Sequence, residues 1–371
     1  MTLRRVMSSP YMEWAKTRSQ ARFNLATSGL RNYPLAKLPV RITDLELSGQ
    51  SFYGYEPLQA ALAAKCRVAT NCVVAATGTS MANHLAMAAV LEPGDEVLIE
   101  EPTYGPLLAV AQYLGASVKR FAREAEDGFA LDASAVERGL SARTRLIVLS
   151  NLHNPTSALA GQDALKHLGE VARGVGARVL VDEVYLETLF EDAPPSAFHL
   201  GDVFLTTNSL TKVYGLSGLR CGWVLASPEL AHRMWRLNDL FGVIPAHAAE
   251  LLSCVALEQL DEIAAWARSL LETNARLLNS FLASRDDLDW LPHKFGTVSF
   301  PRLKRGSADE LCAVLAAKYE TSVVPGRFFE RPEHFRIGIG GDTDALKEGL
   351  DRLGRALDEI RNKPEKVRSK T

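Results

Sequence analysis

The sequence predicts an α/β fold, with a mostly parallel central sheet flanked by helices and a smaller α+β domain, on three observations. Short β-branched runs alternate with segments of helical periodicity through the middle of the chain. Two of these runs, 145–150 and 178–183, are nearly all apolar, as is typical of strands buried on both faces. From about Leu230 the chain becomes rich in alanine and leucine, and its C-terminal part returns to a mixed pattern.

Each element follows from such a run. The central strands are expected, in chain order, at 73–77, 96–100, 145–150, 178–183, 203–207 and 222–226. Helices are expected at 81–91 and 164–174, with one or two long helices in 248–282. The C-terminal part adds strands at 297–301, 322–325 and 335–339, and helices from 308 and over 343–360. We therefore expect a large domain over 45–245, a small domain from 1–44 and 246–371, and a frayed tail over 361–371.

Composition and charge restrict the class of protein. Of 371 residues, 47% are hydrophobic and 23% are charged, which is typical of a soluble globular chain. With 42 basic and 44 acidic residues the formal charge is -2, so neither nucleic acid nor an anionic membrane is an expected partner. No run approaches the roughly 18 apolar residues of a membrane span. We expect a cytoplasmic protein that acts on small molecules.

The five cysteines are scattered, and none belongs to a CxxC pair. The eight histidines show no HExxH or other close ligand spacing. We therefore expect free thiols, no disulfide framework and no metal site.

A lysine lies in a segment rich in hydroxyls and glycines, 209–223, directly after the strand at 203–207. An isolated lysine in such a loop is usually a solvated surface charge. Here Ser209 stands three residues before Lys212 and Arg220 eight residues after it, so a phosphate site would lie beside an amine. An amine next to a phosphate-bearing aldehyde is what a Schiff-base cofactor requires.

An aspartate follows one of the most apolar strands. Asp182 lies at the carboxyl end of the run 178–183, where ligands bind in open α/β sheets. A helix cap or an ion pair at the edge of the core is the alternative. A buried aspartate needs a cation or several donors to stay charged, and a protonated pyridine nitrogen would supply the cation.

Two further turns follow strands. Gly78, Thr79 and Ser80 open a helix, where N–H groups and the helix dipole bind anions, although plain N-capping explains either hydroxyl equally well. Neither the GxGxxG spacing nor the Walker lysine is present, so nucleotide cofactors gain no support. Asn154 precedes a proline just after the strand that ends at Ser150, where an ordinary turn is the alternative.

In combination and in this order, these segments resemble the fold type I pyridoxal-phosphate enzymes of the class I/II aminotransferase family. The matching motifs are GTS at 78–80, NPT at 154–156, DEVY at 182–185, SLTK at 209–212 with the distal Arg220, and FRIG at 335–338. The resemblance extends from about Asn24 to Leu357. It implies the cofactor pyridoxal 5'-phosphate, amino-acid and 2-oxo-acid substrates, and a homodimer with active sites at its interface.

The resemblance also implies roles for single residues. Lys212 would form the Schiff base, Asp182 would pair with the pyridine nitrogen, and Tyr104 would stack on the ring. Arg336 would receive the substrate α-carboxylate, and Asn154 would also lie at the substrate. Asn154 and Tyr185 would hydrogen-bond to the phenolic oxygen of the cofactor. The phosphate would be held by Thr79, Ser80, Ser209 and Arg220, and Gly78 would also contact the cofactor.

Two departures from the family pattern concern local geometry. The family usually has glycine after Asn-Pro-Thr, whereas this chain has Ser157. Family members also carry an N-terminal tyrosine that reaches the phosphate of the neighbouring subunit, and here Tyr53 is the better candidate and Tyr55 the alternative. The side-chain pocket cannot be read from motifs. Its candidate lining residues are Met12, Trp14, Tyr53 and His153, although a structural role for this histidine is the commoner case.

The resemblance favours an aminotransferase. A pyridoxal-phosphate-dependent C–S β-lyase, or another reaction at the α-carbon, is the first alternative because the same lysine, aspartate and arginine would serve it. A ligand-sensing regulator that keeps the fold is a remote alternative, since the sequence retains Lys212 and has no room for a winged helix before the large domain.

Overall fold

The computed structural model describes residues 6–362, with a seven-stranded sheet at its centre. The expected tail beyond Asn362 lies outside the described residues. The helices are α1 Pro10–Thr17, α2 Glu56–Cys66, α3 Gly78–Val90, α4 Gly105–Tyr113, α5 Ala133–Gly139, α6 Gln162–Gly174, α7 Pro228–Asn238, α8 His247–Glu258, α9 Leu260–Ala283, α10 Ala308–Lys318 and α11 Thr343–Arg361. The strands are β1 Phe23–Asn24, β2 Val73–Thr77, β3 Glu96–Glu101, β4 Ser117–Ala122, β5 Thr144–Ser150, β6 Arg178–Asp182, β7 Phe204–Ser209, β8 Cys221–Leu225, β9 Leu288–Asp289, β10 Val298–Ser299, β11 Arg302–Leu303, β12 Thr321–Ser322, β13 Val324–Pro325 and β14 Phe335–Gly338.

The central sheet has the order β2-β8-β7-β6-β5-β3-β4. Its neighbouring strands run parallel except at β8, which is antiparallel to both β2 and β7. The mostly parallel α/β fold is therefore confirmed, and the six predicted central strands are present. The sequence did not reveal β4, because this edge strand is largely exposed and carries Lys119 and Arg120 in place of an apolar run.

Helices cover both faces of the sheet. Val148 in β5 belongs to the same buried cluster as Leu85 of α3 on one face, and its neighbour Ile147 belongs to the cluster of Leu168 of α6 on the other. All four side chains are fully buried. Each such side chain contributes about 1.5 to 3 kcal/mol through burial, which explains why the predicted central strands are continuous apolar runs.

The two ends of the chain meet beside the sheet. Strand β1 pairs in parallel with β12, and β14 lies between β10 and β13 in an antiparallel sheet. The segment after β1 passes so close to β14 that a Cβ on Gly338 would lie 1.8 Å from the Thr27 carbonyl oxygen. Only glycine permits this approach, which carries Ser28 towards the carboxyl edge of the central sheet.

The parallel strands have their carboxyl ends at one edge of the sheet, where α3 begins and β8 starts. This is the edge at which open α/β sheets bind ligands. In residues 6–362 no helix combines the length and the apolar character needed to cross a bilayer.

Candidate active site

Two ionisable side chains meet at the carboxyl edge of the sheet. Asp182 ends β6, and Lys212 follows the adjacent strand β7. Together with Gly78, Thr79 and Arg220, they form what we call the strand-end cluster.

Lys212 is held by the segment that follows β1 in the N-terminal part of the chain. Its Nζ donates a hydrogen bond to Ser28 Oγ at 3.1 Å, and the Lys212 carbonyl accepts one from Leu30 N at 2.9 Å. Burial lowers the pKa of the Lys212 amine to about 8, with the positive charges of Arg336 and Arg220 acting in the same direction and Asp182 opposing them. A larger fraction of this amine is therefore neutral near pH 7 than for an exposed lysine, as a proton acceptor requires.

Asp182 is almost fully buried, and its two oxygens accept different hydrogen bonds. Asn83 Nδ2 donates to Oδ2 at 2.8 Å, and the Val184 N–H donates to Oδ1 at 3.1 Å. Asn83 is oriented in turn by Thr207, whose hydroxyl donates to Asn83 Oδ1 at 2.7 Å. Burial raises the pKa of Asp182 to about 6, although these hydrogen bonds and the charge on Lys212 oppose the shift. A second cation in contact with Asp182 would therefore be bound favourably.

An arginine lies across the start of α3. Gly78 has φ of +76°, a conformation that favours glycine, and a Cβ at this position would lie 2.3 Å from Arg220 Nη2 and would displace the guanidinium. The guanidinium donates to the carbonyls of Ser217 at 3.4 Å and Thr77 at 3.3 Å. Within residues 6–362, no carboxylate forms an ion pair with Arg220.

Four hydroxyl-bearing residues belong to the turns at this edge of the sheet, after β2 and around the end of β7. The Oγ1 atoms of Thr79 and Thr211 are buried without a hydrogen-bond partner in the described part of the chain. Ser209 is fully buried, and its Oγ accepts a hydrogen bond from Thr211 N at 3.3 Å, whereas Ser80 is exposed. Because a buried unsatisfied hydroxyl costs about 1 to 3 kcal/mol, these donors and Arg220 favour a bound anion.

A second group of contacts surrounds Arg336, which is fully buried in β14. Its Nη1 donates to Asn154 Oδ1 at 2.9 Å, while Nη2 donates to Tyr11 OH at 2.9 Å and to Ala26 O at 3.1 Å. We call these four residues the Arg336 cluster. None of its acceptors is a carboxylate, and Nε has no partner among the described residues. A buried guanidinium without a counter-ion is suited to bind an anionic ligand.

Aromatic side chains complete the site. Tyr185 is buried, and burial raises the pKa of its phenol well above the usual value. Tyr104 lies at the start of α4, where its ring packs against the edge of Tyr11 at 5.6 Å between centroids. Its hydroxyl lies 3.5 Å from Met12 Sδ, so α1 reaches over the site.

The N-terminal tyrosines do not join either cluster within one chain. Tyr53 is 43% exposed, and its ring lies near His232 and Arg236 of helix α7. Tyr55 lies edge-on to His247, at 5.0 Å between ring centroids. The contact of Tyr53 with a neighbouring subunit stays a prediction.

His153 does not border the site but is fully buried beneath it. Its Nε2 contacts Pro102 O at 2.8 Å, and its Nδ1 contacts Thr156 Oγ1 at 2.7 Å. Burial and the nearby Arg123 hold the pKa of His153 well below its usual value, so the ring is neutral. A carbonyl can only accept, so Nε2 carries the proton and the histidine holds the turn that presents Asn154.

Ser157, where the family usually has glycine, adopts φ of +62°. The left-handed conformation that favours glycine is thus retained, and the Ser157 hydroxyl donates to Val298 O at 2.7 Å. Trp14, another suggested pocket residue, packs on Phe328 at 5.5 Å between rings.

Three residues of the site were not identified from the sequence: Tyr11, Ser28 and Asn83. Asn83 had a detectable signal, because it is a polar residue one turn after Thr79 on the otherwise apolar face of α3. Tyr11 and Ser28 belong to no strand-end motif, and only the meeting of the two chain ends brings them to the site.

Comparison with known proteins places the chain in context. The family described as "Aminotransferase class I and II" matches residues 44–353. Capreomycidine synthase from Streptomyces vinaceus is 32% identical over 365 residues, which cover 94% of each chain. A probable aspartate/prephenate aminotransferase from Aquifex aeolicus is 26% identical and covers 78% of this chain and 76% of its own. A crystal structure of a PLP-dependent aminotransferase from Streptococcus suis superposes with a TM-score of 0.90 at 26% identity, covering 98% of this chain and all of that one.

Proposed function

Since this chain belongs to the class I and II aminotransferase family, we propose that the strand-end cluster and the Arg336 cluster together form its active site. The chain is a pyridoxal-phosphate-dependent aminotransferase of fold type I, which moves an amino group between an amino acid and a 2-oxo acid. The observation that carries the proposed site is the convergence at one sheet edge of a lysine, a buried aspartate and an arginine that has no ion-pair partner among residues 6–362.

The residues at this edge fit the cofactor chemically. The unpartnered hydroxyls of Thr79 and Thr211, together with Gly78, Ser80, Ser209 and Arg220, would hold the phosphate. Asp182 would receive the protonated ring nitrogen, which supplies a second cation in addition to Lys212. When bound, pyridoxal phosphate supplies an electron-accepting ring that stabilises negative charge at the substrate α-carbon.

Three further side chains would orient the ring. Tyr104 would stack on one face of it, and Asn154 and Tyr185 would donate hydrogen bonds to its phenolic oxygen. Tyr185 can act as a donor because burial keeps its phenol protonated. These assignments follow the family motifs, and the burial of Asn154 and Tyr185 agrees with them.

Lys212 would have two tasks. Its Nζ would bind the aldehyde carbon of the cofactor and, once the substrate amine takes its place, would carry the α-proton. The lowered pKa of about 8 suits the second task, because a general base is most effective when its pKa lies near the working pH. Ser28 Oγ, at 3.1 Å, would keep the amine in position.

Arg336 would bind the substrate α-carboxylate and thereby orient the C–H bond that Lys212 breaks. The guanidinium is permanently charged and planar, so it can grip a carboxylate through two parallel N–H groups. Asn154, bonded to Nη1 at 2.9 Å, would keep the plane of the guanidinium fixed.

We further propose that two copies assemble. Several large apolar side chains in two segments, 42–53 and 240–244, are more than half exposed, among them Ile42, Leu47, Phe52, Leu240, Phe241 and Val243. A second copy covering them would bury an apolar surface that a lone protomer leaves in water. Tyr53, the last residue of the first segment, would then reach the phosphate site of the partner subunit. We also propose that the chain has a large domain over 45–245 and a small domain formed by 1–44 and 246–371, and that the protein is cytoplasmic.

The direct test is a panel of amino acids and 2-oxo acids on the cofactor-loaded protein, followed by a single-turnover experiment. An amino acid alone should release one equivalent of 2-oxo acid per site and then stop until a second 2-oxo acid is added. Continuous release of pyruvate and ammonia from cystathionine or cysteine conjugates would instead show a β-lyase. Because one relative is named capreomycidine synthase, another reaction at the α-carbon is the second candidate function. Such a reaction would give a product without net transfer of the amino group to a 2-oxo acid.

A further inference from the structure

The helix α1 places one tyrosine directly on Arg336. Ser9 caps the helix by accepting from Met12 N at 3.4 Å, and Pro10 occupies the first helical position. Tyr11 is therefore fixed at the start of the helix, where it is 7% exposed. Its ring packs against Tyr104 and against Phe329 at 5.7 Å between centroids.

The donors of Arg336 are already engaged in a way that restricts substrate binding. A guanidinium can offer a carboxylate two pairs of parallel N–H groups, either Nε with Nη2 or Nη1 with Nη2. Both pairs include Nη2, whose two hydrogens go to Tyr11 OH and Ala26 O. A carboxylate that binds through two hydrogen bonds must therefore take or share the place of one of these acceptors.

Tyr11 is the acceptor that can share its place. The Ala26 carbonyl is backbone and can only accept, whereas the Tyr11 oxygen accepts from Arg336 and retains its own proton as a donor. In the described part of the chain no acceptor is bonded to that proton. A carboxylate oxygen arriving beside Nη2 would meet this free O–H donor.

We propose that Tyr11 is a substrate-binding residue, whose hydroxyl donates to the substrate α-carboxylate while Arg336 holds the same group. The helix α1 is then part of the carboxylate site and not only a cover over it. This inference rests on the proposed role of Arg336 as the carboxylate receptor.

The test is Tyr11→Phe, which keeps the ring and its packing and removes only the hydroxyl. The substrates are the best amino acid of the panel and the amine obtained by decarboxylating it. For the amino acid, kcat/KM should fall about 10- to 100-fold, mostly through KM, because the lost hydrogen bond is to a charged group. The amine should react as it does with the unchanged protein, and the visible spectrum of the bound cofactor should not change.

A binding measurement gives a second readout. Calorimetric titration with 2-methylalanine, which has no α-hydrogen to lose, should show a dissociation constant weaker by about tenfold or more in Tyr11→Phe. Tyr319→Phe is the matched control, because the Tyr319 hydroxyl contacts Glu359 at 3.3 Å on the surface of the C-terminal region. It should leave both readouts unchanged.

The outcomes separate this inference from the proposed function. If Tyr11→Phe weakens amino acid and amine equally, or weakens neither, Tyr11 only packs and the inference is wrong. Arg336→Lys tests the premise, since a point charge cannot replace the planar fork. If that variant also treats both substrates equally, the carboxylate receptor lies elsewhere and the proposed site itself fails.

Discussion

The strand-end cluster and the Arg336 cluster perform related tasks but are built differently. Every member of the first lies at the end of a strand of one sheet or in the turn beside it, so local sequence determines its place. The second joins residues separated in sequence by 182, 310 and 325 positions from Arg336. The comparison shows that one half of the site is fixed by the sheet, while the other depends on the meeting of the two chain ends.

The two clusters also differ in electrostatic balance. Burial moves the pKa of Asp182 up to about 6 and that of Lys212 down to about 8, while the opposite charges of the two side chains partly oppose both shifts. Arg336 is fully buried, and within residues 6–362 none of its hydrogen-bond acceptors is a carboxylate. The first cluster can therefore exchange protons, and the second can only bind and orient.

The largest expected effect comes from removing the proton carrier of the strand-end cluster. Lys212→Ala should abolish turnover, because both the covalent link to the cofactor and the base at the α-carbon are lost. The purified variant should also lose the yellow colour expected of the covalently linked form.

Lys65→Met is the matched control, since Lys65 is another largely buried lysine but is paired with Glu187 at 2.5 Å outside the site. It should keep turnover and colour even if it unfolds more readily. Normal turnover by Lys212→Ala would remove the strand-end cluster from the chemistry altogether.

The next largest effect is expected at Asp182, the carboxylate proposed to pair with the ring nitrogen of the cofactor. Asp182→Ala should lower turnover by about 100-fold or more, because a preorganised charge that stabilises the transition state is typically worth that much. The adjacent acid provides the control. Glu183 is equally buried but accepts from the Ser196 hydroxyl at 2.6 Å and from Ala197 N at 2.7 Å. Glu183→Gln should therefore leave turnover within a few-fold, and equal losses in both variants would point to general damage to β6.

A smaller effect is expected at the residue shared by the two halves of the site. Asn154→Ala would leave Arg336 Nη1 without its acceptor, so the guanidinium should bind substrate less well. We expect kcat/KM for amino acids to fall about tenfold, the worth of a hydrogen bond to a charged group. Asn279→Ala, remote from the site and bonded to His293 O at 2.9 Å, is the control. A loss confined to cofactor affinity would assign Asn154 to the strand-end cluster alone.

The same contrast explains what sequence could reveal. Apolar strands and the turns after them predicted the sheet and placed Asp182, Lys212 and Gly78 correctly at its edge, because parallel strands bring their carboxyl ends together. Asn154 and Arg336 were assigned from family motifs, but their mutual hydrogen bond was not foreseen. Tyr11 and Ser28 could not be found, since their positions depend on where β1 pairs with β12 and on the close approach at Gly338.

The smallest expected effect is that of Asp182→Asn on the stability of the cofactor-free protein. This substitution should raise stability, whereas loss of the Asp182 carboxylate should lower turnover. Burial raises the pKa of Asp182 to about 6 from a usual value of 3.8. The folded protein then binds more protons than the unfolded chain between these two pH values, so stability falls as pH rises through that interval. Above about pH 6 the folded state carries the full cost of a buried charge.

Asp182→Asn removes this cost without breaking the local hydrogen bonds. The new amide can accept from Val184 N and donate to Asn83, if the Asn83 amide turns so that its oxygen faces residue 182 and its nitrogen donates to Thr207. A pKa shift of about two units is worth at most about 3 kcal/mol, a figure that already includes the opposing attraction of Lys212 for the carboxylate. We expect the cofactor-free variant to be more stable by about 1 to 2 kcal/mol at pH 7.5.

Urea unfolding of the two cofactor-free proteins at several pH values measures this difference. The advantage of Asp182→Asn should be full at pH 7.5, shrink as the pH falls below 6, and vanish only below about pH 3, where the wild-type carboxyl is protonated in both the folded and the unfolded state. Cofactor should reverse the order, because its ring cation would compensate Asp182 and not the amide. A wild-type protein that is the more stable of the two at pH 7.5 without cofactor would show that the Asp182–Lys212 attraction outweighs burial. The strand-end cluster would then be held by its own charges, and it would need no cofactor to offset the cost of a buried carboxylate.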